Sequence, residues 1–232
     1  VLDRGADPES LALVSPDTGW TLAGLQVAAR QKATELKGLT EQGQVFPLVV
    51  HQDADSVIDI LALWQLGVTP APLNPKLTQA ELAAAKTALS GVRSEAQAIV
   101  WTSGTAGRPR GVEVSFAGLS ANAEASAARL LLTDDDVWAA SLSFAHVGGL
   151  ALLVRALLLG SDLVVLGAFD ARRLDEALEG RGLPLGYNRP VTHVSLVPIQ
   201  LKKLLDQRGD EPAPETARCV LTGGAHAPMA LV

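Results

Sequence analysis

The run TSGTAGRPRGV, residues 102–112, holds three hydroxyl side chains, three glycines and two guanidinium groups directly after the apolar segment AIVW, residues 98–101. A short apolar strand that empties into such a loop restricts the fold more than any other feature of the chain. Glycines let main-chain N–H groups converge on one point, hydroxyls add short donors, and arginine adds a planar fork of permanent charge, so the loop suits an anion such as phosphate. An exposed polar hairpin turn has a related composition. The density and order of the run, and its companions downstream, favour the phosphate reading. A Walker loop is excluded because no Gly-Lys pair follows Gly104 at the required spacing, and the Gly-x-Gly-x-x-Gly fingerprint of dinucleotide binding is absent.

Composition sets the frame. The 232 residues are 48% hydrophobic with a mean hydropathy of +0.23, enough to bury a substantial core and far from a disordered chain. A net charge of −6 argues against a nucleic-acid surface spread over the whole molecule. The lone Cys219 cannot form an internal disulfide; in an apolar run it reads as packing rather than as a nucleophile, and a reducing cytoplasm is the expected compartment. No signal sequence is expected with Asp3, Arg4, Asp7 and Glu9 where an apolar run would be needed, and Val1 in place of Met points to a processed or cloned start. The apolar stretch 150–166 is broken by Arg155 and by Gly160-Ser161-Asp162, so it predicts a core helix and a strand rather than a membrane span. Arg155 itself is expected to snorkel to solvent or to pair with a carboxylate.

Helical and strand-like segments alternate. Helices are expected over 22–36, 56–66, 78–88, 115–132, 150–159, 171–179 and 199–207, with Thr78 and Glu81 at the offset of a capping box. Strands are expected over 45–50, 98–101, 137–141, 163–166, 192–197 and 218–221, and Pro70, Pro72 and Pro75 mark an extended crossing. Such alternation predicts an α/β fold with largely parallel sheets covered by helices on both faces. There is no internal repeat, and 207–214 reads as a surface loop rather than a domain linker.

The glycine loop resembles the phosphate loop of the adenylate-forming (AMP-binding) superfamily: acyl- and aryl-CoA synthetases, peptide adenylation domains and luciferases. The family pattern is Thr-Ser-Gly-Thr/Ser-Thr-Gly-x-Pro-Lys-Gly; this chain departs from it at Ala106, usually a hydroxyl residue, and at Arg110, usually lysine. Three more segments are similar to the same superfamily: LALWQLGVTPAPLNP (61–75), SFAHVGG (143–149) and LTGGA (221–225). Within it, HVGGLALLVRALLLG (146–160) followed by VSLVPIQLKKLLD (194–206) is most similar to a branch of CoA ligases that takes a keto-dicarboxylate. The resemblance runs from Trp20 to Pro228.

The resemblance implies a reaction: a carboxylate attacks the α-phosphorus of ATP, pyrophosphate leaves, and the acyl-adenylate passes to the thiol of CoA. It also implies site residues. Thr102, Ser103, Gly104, Thr105, Ala106 and Gly107 would hold phosphate with Arg110 as the cation; Gly223, Gly224 and Ala225 would line the nucleotide; His146 would lie beside the reacting carboxylate, with Ser195, Gln200 and Thr222 in the acyl pocket. For His146 the plain alternative is a core-edge histidine satisfied by main chain, for Ser195 a strand hydroxyl, and for Gln200 a helix-start amide. His51, His193 and His226 form no zinc spacing. Magnesium would accompany ATP, with its main ligand outside the chain. Family members run to roughly twice this length, so residues 1–232 are expected to be an incomplete N-terminal AMP-binding domain, inactive alone. The partners implied are a small carboxylate, ATP and CoA, without nucleic acid or membrane, and a homodimer is compatible with this. A non-catalytic nucleotide-binding remnant and a plain α/β scaffold are the competing classes.

Overall fold

Strand and helix alternate almost as the apolar pattern dictates, in a computed structural model that describes residues 7–102 and 110–226. The opening strands β1 (Leu11–Val14) and β2 (Gly19–Thr21) pair antiparallel. Thr21 then caps α1 (Leu22–Leu36) by accepting from Gly24 N at 3.1 Å. Next come β3 (Val45–Val49), α2 (Ala54–Gln65), capped by Asp53, and β4 (Thr69–Leu73). The helix α3 (Gln79–Leu89) opens with a closed capping box: Glu81 N reaches Thr78 Oγ1 at 3.3 Å while Thr78 N donates to Glu81 at 2.7 Å. β5 (Ala98–Thr102), β6 (Arg110–Val114) and α4 (Phe116–Leu130) follow. The remainder runs β7 (Val137–Ala139), α5 (Val147–Leu159), β8 (Asp162–Val164), α6 (Ala171–Leu178), β9 (His193–Leu196), α7 (Pro198–Arg208) and β10 (Cys219–Thr222).

Among the described residues one six-stranded sheet has the order β10-β9-β7-β8-β1-β2, parallel except for the β1–β2 pair. The pair β3–β4 is parallel and the pair β5–β6 antiparallel, each a separate small sheet. Side chains of the large sheet alternate cleanly between two cores. Leu13, Trp138, Ala140 and Leu163 face α1, α2 and α5. Val14, Val137, Ala139, Val164, Val194 and Leu196 face α6 and α7. Both faces are therefore covered, as a parallel sheet requires.

Helix α5 is the keel of the molecule. Leu152, Leu153, Ala156 and Leu157 pack on the large sheet, while Leu150, Ala151 and Val154 pack on Ala98 and Val100 of β5. Apolar on both sides, the helix is buried between two sheets, and no helix among the described residues is long and apolar enough to cross a membrane. Arg155 departs from expectation. It is 7% exposed, so it does not snorkel, and it has no carboxylate partner among the described residues. Its guanidinium lies 5.0 Å from the Trp138 ring centroid and donates to Asn122 Oδ1 at 3.3 Å. An aromatic face and an amide oxygen thus replace the water and the carboxylate.

Candidate functional site

The phosphate-loop residues Ser103, Gly104, Thr105, Ala106 and Gly107 lie outside the described residues; the strands on either side are within them. β5 and β6 are joined in antiparallel register from Ala98↔Val114 to Thr102↔Arg110. Thr102 Oγ1 donates to the Arg110 carbonyl at 3.4 Å. The sequence pattern missed β6, because RGVEV is exposed at four of its five positions and has no apolar run. Gly111 stands opposite Trp101, and a Cβ there would come within 2.9 Å of Ile99 Cγ2. The two ends of the glycine run are thus clamped by a hairpin, with Thr102 and Arg110 as its last pair.

A second feature sits at the carboxyl edge of the large sheet. From β7 the chain crosses by α5 on one face to β8, whereas from β9 it crosses by α7 on the opposite face to β10. The boundary between β7 and β9 is therefore the topological switch point, the place where connections diverge to opposite faces and where open α/β sheets generally take their ligands. The main-chain ladder there is short, Trp138↔His193 and Ala139↔Val194.

His146 stands on this edge. It is exposed and occupies the N-cap of α5 in extended backbone, and its side chain makes no capping bond. Its main-chain N–H donates to Ser143 O at 3.0 Å, which fixes the turn that carries it. The two glycines that follow differ in function. A Cβ at Gly149 would lie 2.3 Å from Ser143 O and 2.8 Å from Leu142 O, so only glycine lets the first turn of α5 pack on that segment. A Cβ at Gly148 would meet only the flexible end of Leu142, at 3.1 Å.

The expected acyl-pocket residues are not all brought together. Ser195 is on β9, beside Leu221 in register, and both share the α5 face with Trp138. Thr222 pairs with Leu196, which faces α7, so Thr222 is on the opposite side of the sheet from Ser195. Gln200 has its amide committed at both ends: Oε1 accepts from Val197 N at 2.9 Å and Nε2 donates to Ser141 O at 3.0 Å. Gly223 donates to Leu196 O at 3.2 Å, Gly224 takes a left-handed turn at φ 78°, and Ala225 is exposed. Ser141, which the sequence reading did not single out, donates from Oγ to Ser195 O at 2.8 Å. A buried serine at a strand end was the available signal.

The opposite, amino edge of the sheet carries buried charge. Asp136 accepts from Thr133 N at 2.8 Å and from Arg218, and lies 3.5 Å from His193 Nδ1. Burial pushes the His193 imidazole below its ordinary value; Asp136 pulls it upward, while Arg218 and Arg155 push it further down. Burial wins and favours the neutral ring, whose centroid lies 4.7 Å from that of Trp138 in a tilted contact. An open cleft of about 1140 Å³, lined by Trp64, Thr69, Arg93 and Gln97 among others, lies at the end of β5 remote from Thr102. Two of its polar side chains are engaged: Arg93 bonds the Gln42 carbonyl, and Thr69 Oγ1 reaches Ser94 O and Ala96 O, both at 2.9 Å. No group of three or more His, Cys, Asp or Glu that could hold a metal ion occurs among the described residues.

A hairpin at the two ends of the glycine run, packed through α5 on a parallel sheet with a switch point, defines an α/β domain of the open-sheet class. The comparisons give its family. Residues 89–232 match the family model described as AMP-binding enzyme, and the chain belongs to that family. The 2-succinylbenzoate–CoA ligase of Bacillus cereus is 34% identical over 203 residues, 88% of this chain and 38% of that protein. O-succinylbenzoate coenzyme A synthetase from Bacillus subtilis, in complex with ATP and magnesium ion, is similar with a TM-score of 0.85 at 25% identity, over 97% of this chain and 54% of that one. The same enzyme in complex with its acyl-adenylate intermediate gives a TM-score of 0.83 at 24% identity, over 97% and 53%. The chain thus spans 38% of the length of the curated relative.

Proposed function

We propose that this chain supplies the phosphate grip and part of the acyl crevice of an ATP-dependent acid–thiol ligase whose acid is o-succinylbenzoate. The observation that carries the reading is convergence. Two segments that resemble the superfamily, 143–149 and 221–225, and the start of 194–206, which with 146–160 resembles one branch of it, lie at one edge of one sheet, around its switch point. The B. cereus relative and the B. subtilis structures support the choice of acid.

In this reading the hairpin holds the β- and γ-phosphates of ATP through the 102–107 main chain and hydroxyls, with Arg110 as the cation. Negative charge gathers on pyrophosphate as it leaves, so donors fixed in advance lower the barrier without reorganising. His146, free of a capping bond, is available to the acid's carboxylate, and Ser195 presents a hydroxyl on the same face. Thr222 is assigned to the nucleotide side with Gly223, Gly224 and Ala225 because of the face it occupies. CoA is the proposed acceptor. Magnesium would neutralise phosphate charge; no described carboxylate cluster is suited to hold it, so it is proposed to arrive with ATP and no step is assigned to it.

Arg110 and Ala106 in place of the family's usual residues favour a second reading, a nucleotide-binding remnant without turnover. Titration of the purified 232-residue chain separates the two. The ligase reading expects saturable binding of both ATP and o-succinylbenzoate, with pyrophosphate release no greater than background from the chain alone. Binding of ATP without any response to the acid would select the remnant.

A further inference from the structure

We infer that Ser141 and Gln200 form a clasp that sets the spacing between the two walls of the acyl crevice, and are positioning residues rather than ligands of the acid. This rests on the assignment of the crevice to the acid made above. The argument begins with what the sheet leaves unpaired. The β7–β9 ladder ends at Ala139↔Val194, and beyond it the two chains part to opposite faces. Their next polar main-chain groups, Ser141 O, Ser195 O and Val197 N, would be bare at the strand ends, and main-chain groups drawn away from water need partners.

Each is met by one of two side chains. Ser141 Oγ crosses to Ser195 O at 2.8 Å, Gln200 Nε2 crosses back to Ser141 O at 3.0 Å, and Gln200 Oε1 takes Val197 N at 2.9 Å. The crossing bonds tie the segment that leads to His146 to the strand that bears Ser195. Because Ser141 is both donor and acceptor in the same crossing, loss of either side chain loosens both walls together. Spent on main chain, the Gln200 amide is not offered to substrate; the Ser195 hydroxyl, whose residue gives only its carbonyl to the clasp, is.

The test uses the 232-residue chain and its variants Ser141→Ala, Ser141→Thr and Gln200→Met, with o-succinylbenzoate and ATP affinities by calorimetry well below each melting temperature. Loss of one crossing bond should weaken acid binding by about tenfold in Ser141→Ala and by at least as much in Gln200→Met, which also frees Val197 N, while ATP affinity, set mainly on the hairpin, changes by less than about twofold. Ser141→Thr, which keeps the donor, should restore acid binding. The two substitutions combined should cost less than the product of their separate effects. Acid binding unchanged in both variants overturns the clasp while the acid assignment stands. Equal weakening of acid and ATP shows a general loss of structure and also overturns it. A wild-type chain that binds ATP but no acid overturns the assignment of the crevice and the clasp with it.

Discussion

Replacing Gly149 by alanine adds one methyl group where the structure has no room for it. The new Cβ would lie 2.3 Å from Ser143 O and 2.6 Å from Ser143 C, against about 3.4 Å for ordinary contact, so helix and loop must part by roughly 1 Å. Neither side can yield easily. The clashing atoms are main chain, and α5 is held between two sheets by Leu150, Leu153 and Val154, all fully buried. Overpacking of this kind costs about 1–3 kcal/mol, and a clash with backbone belongs at the upper end. At about 2–4 °C per kcal/mol for a chain of this size, the melting temperature should fall by roughly 6–12 °C. Gly148→Ala is the internal control: it faces only Leu142 Cδ1 at 3.1 Å, a side chain that can rotate, and alanine favours the helix by up to about 1 kcal/mol. Melting curves of the two variants by circular dichroism decide the matter. A Gly149→Ala protein that melts within about 2 °C of wild type, or a Gly148→Ala protein equally damaged, would refute the close-approach argument.

Other perturbations probe other parts of the molecule. His193 has its folded-state value pushed below the ordinary 6.5, so below that value the unfolded chain binds more protons than the native one, and stability is lost as pH falls; melting temperatures recorded from pH 7 downward should show this slope in wild type and a flatter one in His193→Gln, and equal slopes would remove His193 as its source. Arg110→Ala should weaken ATP binding by about tenfold or more through loss of charge-assisted bonds, with little change in melting temperature because the side chain is exposed; calorimetric affinity equal to wild type would free Arg110 from the role proposed for it. Among o-succinylbenzoate, benzoate and octanoate, the first should bind best, since a site built to hydrogen-bond polar groups discriminates against analogues that leave its donors unpaired; equal or tighter binding of octanoate would remove the proposed acid but not the family.

Local pattern carried most of the element order. The expected helix 22–36 is α1 to the residue, and the Thr78–Glu81 capping box closes as its spacing requires. What escaped was structure created by distant pairing. β1 and β2 are four and three residues long, and β1 is a strand because Leu13 lies against Leu163 across the sheet, a partner that no local window contains. β6 escaped for a different reason: RGVEV is exposed at four of its five positions and has no apolar run, its ladder coming wholly from the neighbouring β5. The α5 start was expected at 150, three residues late, because Gly148 and Gly149 lower helix propensity; tertiary packing on the 142–143 segment overrides it. The site was legible in its motifs but not in its faces. That Ser195 and Thr222 leave opposite sides of the sheet depends on the register Ser195↔Leu221, and a shift by one residue would reverse it. The Gln200 amide looked like an anchor because its two main-chain partners are a turn away in one case and 59 residues away in the other.

Strand parity also joins the two halves of the proposed site. On β5, Ala98 and Val100 face α4 and α5, and on β6 their opposites Val114 and Val112 share that side. Thr102 and Arg110 are the next opposed pair in the same alternation, so both side chains leave the hairpin on the side of α5, whose first residues follow His146. Had the register slipped by one, Arg110 would project toward the other face, with Ile99 and Trp101, against β3 and β4. The exposed cation and the helix that carries the candidate acid-side histidine therefore lie on one side of one hairpin, through a register set by five residue pairs. In the proposed reaction, ATP held there by its outer phosphates and a carboxylate held at the α5 end would meet at the α-phosphorus, the carboxylate oxygen entering opposite the departing pyrophosphate, as in-line attack requires.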